Sequence, residues 1–297
     1  MSRILVLGGS GMLGHKMFQI LGGRYPETRC TLSAPQVDAV LERTGLYDVE
    51  KVILGFDAMD QVQLRTVLRR EKPDVVVNCI GVIKQRSAAM DALPSITINS
   101  LLPHLLSSIC ADWGGRVIHF STDCVFSGRG GSYTEESFAD AEDLYGRTKY
   151  LGEVQGRNAL TLRTSIIGHE LKNFASLLDW FLAQEGRSIS GYRRVLYSGV
   201  TTNFLAGVVG DLVEHHPDLA GLFQVASDPI NKYDLLCLVR DAYGFDVDIE
   251  PEDETVSDRS MIGKRFVQAT GIETSAWPVL VAALAEEYPT YKAWRQN

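Results

Sequence analysis

The stretch Ile4-Leu5-Val6-Leu7-Gly8-Gly9-Ser10-Gly11-Met12-Leu13-Gly14 decides the fold of this chain. Its apolar run predicts a buried strand, and the amphipathic pattern that continues from Met12 to Leu21 predicts a helix. Between the two stand Gly8, Gly11 and Gly14, at three-residue spacing. The first two permit a tight turn and close approach to the backbone, and the third lets the helix pack against the strand. The stretch therefore predicts a strand-turn-helix unit with free backbone N–H groups at the helix start.

The rest of the first half repeats this alternation of apolar runs and helical patterns, which is typical of parallel βαβ units. The predicted strands are Arg29–Ser33, Asp74–Asn78, Arg116–Phe120 and Ala159–Thr164, and the predicted helices are Asp60–Arg70 and Ser95–Asp112. Beyond Gly168 the pattern becomes less regular, with helices expected at Asn173–Gln184, Asn203–His215, Lys232–Tyr243 and Trp277–Trp294. The acidic stretch Asp246–Asp258 is expected to be a solvated loop with a short strand. We therefore expect an α/β protein with a doubly wound parallel sheet. Residues 1–168 should form a nucleotide-binding domain, and residues 169–297 a smaller substrate-binding region partly interleaved with it.

Composition narrows the classes of function. The 297 residues carry a formal charge of −8, which argues against a nucleic-acid partner because phosphate backbones need a basic face. No apolar run is long enough for a membrane span, and no charged leader precedes Ile4. The five cysteines are scattered without metal-ligand spacing, so we expect no metal site. A cytoplasmic protein is the expectation.

The glycine-rich turn, Gly8–Gly14, is expected to bind the pyrophosphate of a dinucleotide, with Ser10, Met12 and Leu13 contributing at the helix start. The second strand ends in Thr31-Leu32-Ser33, without the acid that usually takes the ribose 2′-hydroxyl of NAD, and so favours NADP. Asp57 follows Gly55-Phe56 and has two interpretations. It either bonds the adenine amino group or caps the helix that follows.

Tyr145 and Lys149 stand at i and i+4, on one face of a predicted helix. A nearby ammonium lowers the pKa of a phenol, so Tyr145 could donate a proton near neutral pH. The same spacing recurs at Tyr47/Lys51 and at Tyr288/Lys292. Only Tyr145 closely follows a strand that ends in hydroxyls, Ser121-Thr122, as a shared site requires. Asp123 has three open roles there: orienting Thr122, contacting substrate or capping a turn.

These segments resemble the extended short-chain dehydrogenase/reductase superfamily, and within it the dTDP-4-dehydrorhamnose reductase family. The resemblance runs through most of the chain. It is carried by Gly8–Gly14, Ser121-Thr122-Asp123-Cys124-Val125-Phe126, Tyr145-Gly146-Arg147-Thr148-Lys149, Leu162-Arg163-Thr164-Ser165 and Asp258-Arg259-Ser260. It implies a Rossmann-type NAD(P)-binding domain and an enzyme of polysaccharide or glycoconjugate biosynthesis.

By this resemblance NADPH, with NADH as the alternative, would reduce the 4-keto group of a nucleoside-diphosphate 6-deoxyhexose. Tyr145 would protonate the new alkoxide, Lys149 would tune Tyr145 and hold the cofactor, and Thr122 would polarise the carbonyl. Ile80 and Gly81 occupy the segment that runs beside the nicotinamide in the family. The expected substrate contacts are Thr122, Asp123, Cys124, Lys84 and, for the diphosphate, Arg259.

Three departures from the family pattern lie on the sugar side. Cys124 replaces a Tyr, Ile166 replaces a Trp, and Gly81-Val82-Ile83-Lys84-Gln85-Arg86 replaces a more neutral continuation. The nucleotide and the sugar are therefore left open.

Two alternatives also stay open. Cys124 has the offset of the cysteine that assists epimerisation in the similar GDP-fucose synthases, which would make the chain an epimerase-reductase. The regulatory β subunit of methionine adenosyltransferase also resembles these reductases, and binds NADP as a partner protein. A homodimer is the default oligomeric expectation.

Overall fold

A computed structural model of the chain describes residues 2–82 and 91–296. The strands in chain order are β1 Ile4–Leu7, β2 Arg29–Thr31, β3 Val52–Ile53, β4 Val75–Asn78, β5 Arg116–Thr122, β6 Ala159–Thr164, β7 Ile166–Ile167, β8 Ser188–Tyr192, β9 Val195–Tyr197, β10 Val200–Thr201, β11 Gly221–Gln224, β12 Ile230–Asn231, β13 Asp248–Glu252 and β14 Ser257–Asp258. The α-helices are α1 Met12–Arg24, α2 Ala39–Arg43, α3 Gln61–Glu71, α4 Ala92–Ser95, α5 Leu102–Cys110, α6 Leu144–Leu151, α7 Leu177–Leu182, α8 Thr202–His215, α9 Lys232–Tyr243, α10 Lys264–Thr270 and α11 Trp277–Arg295. A π-helical segment, Ile96–Leu101, joins α4 to α5.

Within the described residues, seven strands form one sheet in the order β11-β6-β5-β4-β1-β2-β3. All of its pairings are parallel. The order runs outward in one direction from β1 to β3 and in the other from β4 to β11, so it reverses between β1 and β4. Ligands bind to α/β sheets in the crevice outside the carboxyl ends of the strands at such a reversal. The predicted α/β class and doubly wound parallel sheet are confirmed.

Helices cover both faces of this sheet. Helices α1 and α8 pack together on one face, over β1 side chains such as Val6. Helices α3 and α5 pack on the other face, over Leu5. Strand β1 is buried on both faces of the sheet, and this explains why its sequence is a continuous apolar run. No helix in the described part of the chain is both long and apolar enough to cross a membrane.

The C-terminal part of the chain also builds the main sheet. Strand β11 lies at its edge and pairs with β6, with Phe223 opposite Leu162. Helix α8 packs on α1, the helix that follows the glycine-rich turn. Residues beyond 168 thus contribute to both layers of the first unit, and a domain boundary at residue 168 stays a prediction.

The remaining elements form smaller sheets around a core of their own, which α7, α9 and α11 line. Strand β13 pairs with β8, and β9 lies between β12 and β14. The stretch Asp246–Asp258, predicted as a loop with one short strand, contains two strands, β13 and β14. Strand β13 buries only Ile249, which is too little apolar signal to predict its full length. Helix α7 is shorter than predicted, since Asn173 and Phe174 adopt positive φ angles of 71° and 50°.

Candidate active site

The glycine-rich turn is held against the end of β2. Its Gly8 has a φ of +80°, a conformation that glycine adopts without strain. The Gly8 N–H donates to Thr31 Oγ1 at 3.1 Å, and the Gly9 N–H donates to the Thr31 carbonyl oxygen at 2.9 Å. A Cβ atom on Gly14 would lie 2.0 Å from the carbonyl oxygen of Gly8. The third glycine is therefore required by the packing of α1 on the turn, as the spacing predicts.

Gly11 is a different case. A Cβ atom there would meet, within 4 Å, only the carbonyl oxygen of Gly8, at 3.5 Å, among the described residues. Gly11 is also the N-cap of α1 and supplies no side-chain hydrogen bond to the first turn. Open space thus borders a helix start whose N–H groups need acceptors. This arrangement fits a dinucleotide pyrophosphate, which requires close approach and anion-binding N–H groups.

The residues predicted beside the cofactor differ in exposure and in what they contact. Leu13 is buried in the core, so only its backbone N–H can face a ligand. Ile80 follows β4 and packs against the turn, since its Cγ1 would lie 2.9 Å from a Cβ on Gly8. The Asp57 side chain is exposed and accepts from the Met59 N–H at 2.9 Å, which is a turn-capping contact. A role for Ser10, Met12, Gly81 or Asp57 toward adenine or phosphate stays a prediction.

The two other Tyr/Lys pairs have structural surroundings. Tyr47 is buried, and its hydroxyl donates to the carbonyl oxygen of Gly9 at 2.7 Å, beneath the glycine-rich turn. Lys292 lies on α11, with its Nζ 5.5 Å from the ring centroid of Tyr288. Neither pair lies at the end of β5.

Thr122 ends β5, at the carboxyl edge of the sheet. Its Oγ1 accepts from the Cys124 N–H at 3.1 Å and donates to Asp123 Oδ1 at 3.1 Å. The 3₁₀ turn Asp123–Val125 follows, so Thr122 both caps this turn and presents its hydroxyl at the strand end. Asp123 is buried and is the acceptor that orients Thr122, one of the three roles open from sequence.

Helix α6 brings Tyr145 to Thr122. A Cβ on Gly146 would lie 2.2 Å from the carbonyl oxygen of Cys124, so the helix start packs directly on the segment after β5. Asp143 caps the helix by accepting from the Gly146 N–H at 2.8 Å. Burial raises the pKa of Tyr145, while a side-chain hydrogen bond with Thr122 acts to lower it. Tyr145 therefore carries its proton at neutral pH, as a proton donor must.

Lys149 is directed at β5. Its Nζ donates to the carbonyl oxygen of Phe120 at 2.6 Å and lies 3.4 Å from Nε2 of His119. Burial lowers the pKa of Lys149 to about 8, while the charge of Glu153 acts to raise it. The expected lowering of the Tyr145 pKa by this ammonium is wrong for this structure, because burial of the phenol dominates.

Sequence reasoning missed three buried residues that support this site. His119 lies on β5, with its Nδ1 3.1 Å from Nδ2 of Asn78 on β4, so it links Lys149 to the neighbouring strand. Asn99, on the π-helical segment, bonds the Val82 backbone in both directions, at 2.9 and 3.0 Å. The two strand residues look like ordinary core positions in sequence. A π-helical segment, which often marks a functional site, has no simple sequence pattern.

A buried ion pair lies under the same strand end. Arg163 on β6 donates from Nε and Nη2 to the two carboxylate oxygens of Glu153, at 2.8 and 2.6 Å. Glu153 Oε1 also accepts from Ser121 Oγ at 2.7 Å. The pair thus fixes the residue that precedes Thr122.

The structure describes some of the predicted substrate residues but not Lys84. The Nε of Arg259 donates to the carbonyl oxygen of Phe126 at 2.9 Å, and its Nη2 to that of Ser127 at 3.4 Å. Arg259 therefore lies just beyond the 3₁₀ turn that follows β5. Lys84 lies outside the described residues. Contacts of Arg259, Cys124 and Lys84 with a substrate stay predictions. No group of His, Cys, Asp and Glu in the described residues could hold a metal ion.

A family model described as RmlD substrate binding domain matches residues 1–266. A dTDP-4-keto-6-deoxy-D-glucose reductase of Streptomyces niveus is 30% identical over 152 residues, which are 51% of this chain and 46% of that protein. This chain thus covers less than half of that relative. The methionine adenosyltransferase 2 subunit beta of Xenopus laevis is 21% identical, with 99% of this chain and 90% of that protein covered.

The fold agrees with that of solved structures. The dTDP-4-dehydrorhamnose reductase of Bacillus anthracis in complex with NADP superposes with a TM-score of 0.74, at 18% identity, covering 97% of this chain and 99% of that chain. The Rossmann-type architecture is confirmed by this likeness.

Proposed function

The chain belongs to the family described as RmlD substrate binding domain, and from this premise we propose that it is an NAD(P)H-dependent reductase. Its substrate is a nucleoside diphosphate linked to a 4-keto-6-deoxyhexose, and its product serves polysaccharide or glycoconjugate assembly. One observation carries the proposal. The glycine-rich turn, the Thr122 hydroxyl and Tyr145 lie at the carboxyl edge of one parallel sheet, where such sheets bind their ligands.

The side chains divide the chemistry among them. A nicotinamide cofactor held by the glycine-rich turn would supply the hydride for the carbonyl carbon. Tyr145, held neutral by burial, donates its proton to the carbonyl oxygen as that oxygen becomes an alkoxide. Thr122, oriented by Asp123, bonds the same oxygen. Lys149 is fixed by the carbonyl of Phe120 beside Tyr145 and is the cation available to the cofactor ribose.

NADPH is the proposed cofactor, with NADH as the alternative. Thr31 ends β2, and its hydroxyl and carbonyl are both bonded to the glycine-rich turn. No carboxylate follows in Leu32-Ser33 to accept a ribose 2′-hydroxyl, which leaves room for a 2′-phosphate. The solved reductase of Bacillus anthracis is a complex with NADP.

The epimerase-reductase alternative loses support from the state of Cys124. Burial, aided by the charge of Asp123, raises the pKa of Cys124 to about 12. Such a thiol keeps its proton at neutral pH, whereas epimerisation needs a group that can both accept a proton from the sugar and donate one to it. Reduction alone is therefore favoured.

The second candidate function is that of a cofactor-binding partner protein. It is favoured by the likeness of nearly the whole chain to the methionine adenosyltransferase β subunit of Xenopus laevis. The set Thr122, Tyr145 and Lys149 is complete around one strand end, with Thr122 and Lys149 buried and Tyr145 partly buried, which favours an enzyme.

The test is consumption of NADPH with a panel of enzymatically prepared dTDP-, UDP- and GDP-4-keto-6-deoxyhexoses, followed at 340 nm, with the product sugar identified by NMR. The proposal predicts consumption with at least one member and a new C4 alcohol in the product. Binding of NADPH without reduction of any member would favour the partner protein.

A further inference from the structure

Lys232 is a cation that sequence reasoning did not place at the site. It is the first residue of α9 and directly follows β12. Strand β12 pairs with β9, with Ile230 opposite Tyr197. The Nζ of Lys232 lies 3.8 Å from the centroid of the Tyr197 ring, a cation–π contact.

The Tyr197 ring is a fixed support for this ammonium. It is 5% exposed, and it packs against Trp277 with ring centroids 5.4 Å apart. A Cβ atom on Gly199 would lie 2.3 Å from the Tyr197 hydroxyl and 2.5 Å from the carbonyl oxygen of Ser165, so the ring lies beside the residue that follows β6. The position of the Lys232 ammonium is thus set by a buried, packed ring.

The ammonium lies close to the reacting end of β5. The Tyr197 ring, which the ammonium covers, lies beside Ser165, and the preceding Thr164 pairs with Thr122 in the main sheet. The carboxylate of Asp123, the residue after Thr122, acts to raise the pKa of Lys232, which agrees with this placement. Arg259, which follows β14, donates to the carbonyls of Phe126 and Ser127, just beyond the same segment. One cation that follows β12 and one that follows β14, the strands on either side of β9, therefore flank the segment after Thr122.

The two cations differ in what they bond. Arg259 donates to the carbonyls of Phe126 and Ser127. In the described part of the chain, the Lys232 ammonium has the ring contact but no hydrogen-bond acceptor and no ion pair within bonding distance. Lys232 keeps part of its surface exposed, so its N–H groups are open to an acceptor that a ligand brings. Its position beside the reacting hydroxyl favours an acceptor that arrives with the substrate.

We propose that Lys232, supported by the Tyr197 ring, binds an oxygen acceptor on the sugar ring of the substrate, next to the carbonyl that is reduced. Arg259 is then left for the diphosphate. This inference rests on the proposed function and extends it, because it assigns recognition of the sugar to a residue of the C-terminal region. The acceptor is a hydroxyl or carbonyl oxygen, since an ammonium donates hydrogen bonds and accepts none.

The test separates the sugar from the diphosphate by equilibrium binding, without turnover. Calorimetric titrations with dTDP-glucose, UDP-glucose and GDP-mannose, and with dTDP, UDP and GDP, use protein saturated with NADP⁺. The variants are Lys232→Met and Lys232→Arg, and thermal melting checks that each one folds. Lys292→Met is the matched control, because Lys292 also lies over a tyrosine ring but on α11.

The expected result is at least a tenfold loss of affinity for the preferred nucleotide sugar in Lys232→Met, with nucleoside diphosphate affinity changed less than twofold. Lys232→Arg should lose less, and Lys292→Met nothing. Equal loss for sugar and diphosphate, or no loss for either, would overturn the inference and leave the proposed function standing. Failure of the unaltered protein to bind any nucleotide would overturn both.

Discussion

The ammonium nitrogen of Lys149 donates to the carbonyl oxygen of Phe120 across 2.6 Å. The donor is on α6 and the acceptor on β5, so this contact fixes the helix that carries Tyr145 to the strand that carries Thr122. Burial lowers the pKa of Lys149 to about 8 from 10.5. The residue is thus placed for function at a cost in stability, because the unfolded chain binds the proton more tightly.

Lys149→Met should abolish turnover without lowering the stability at neutral pH. The lowered pKa of Lys149 costs the folded protein about 3 kcal/mol below pH 8, and the variant is relieved of this cost. The variant also loses the hydrogen bond to Phe120, which offsets about 1 kcal/mol of the gain in stability. The variant should therefore be more stable at pH 7 by about 2 kcal/mol. The folded form loses its proton near pH 8 and the unfolded form near pH 10.5, so the advantage should shrink between these values.

Urea unfolding at pH 7 and at pH 10 measures this difference. Lys264→Met, at an exposed lysine on α10, is the control and should show no such dependence on pH. A Lys149→Met protein that is less stable than the original at pH 7 would contradict the argument.

Tyr145→Phe should keep the affinity for NADPH and lose turnover by about 10²–10⁴-fold, the usual contribution of a general acid. The variant removes only the hydroxyl that faces Thr122. Fluorescence titration measures the affinity for NADPH, and the rate of NADPH consumption measures turnover. Tyr288→Phe, from a Tyr/Lys pair outside the site, is the control. Normal turnover in Tyr145→Phe would remove Tyr145 from the chemistry.

Gly11→Val should abolish NADPH binding while the protein still folds. The added side chain enters space that borders only the Gly8 carbonyl oxygen among the described residues. Gly22→Val lies within α1, where an added Cβ would meet nothing within 4 Å among the described residues, and this variant should fold and bind normally. Titration with NADPH and thermal melting of both variants make the comparison. An unchanged dissociation constant in Gly11→Val would place the pyrophosphate elsewhere.

Glu153→Gln should destabilise the protein by about 3–5 kcal/mol, because it leaves the buried guanidinium of Arg163 without its counter-charge. Chemical denaturation measures the loss. Glu142→Gln breaks an exposed pair with Arg129 and should cost less than about 1 kcal/mol. Equal small losses in the two variants would show that the Glu153–Arg163 pair is not a structural anchor of β5.

The sequence predicted those parts of the fold that local patterns control. Strand β1, the glycine-rich turn and α1 follow from one contiguous stretch. Helix α9 was predicted with its observed bounds, because Asn231 caps its start and Gly244, with φ of 68°, ends it.

The sequence could not predict features that depend on distant partners. Strand β3 has two residues and exists because β2 pairs with it, and β11 joins the main sheet from a region whose pattern had become irregular. The direction of the Lys149 side chain depends on its burial beside His119. The position of Lys232 depends on its contact with the Tyr197 ring on β9. The spacing of residues within one helix predicts neither contact.

The central step of the proposed reaction is hydride transfer to C4 of a nucleotide-linked sugar, with Tyr145 as the proton donor. The measurement that tests it is mass and NMR analysis of the product after incubation with NADPH deuterated at nicotinamide C4, in both stereoisomers. The account predicts that one stereoisomer transfers deuterium to C4 of the sugar, and that Tyr145→Phe yields no labelled product. NADPH binding without label on any sugar of the panel, or label at another carbon, would contradict it.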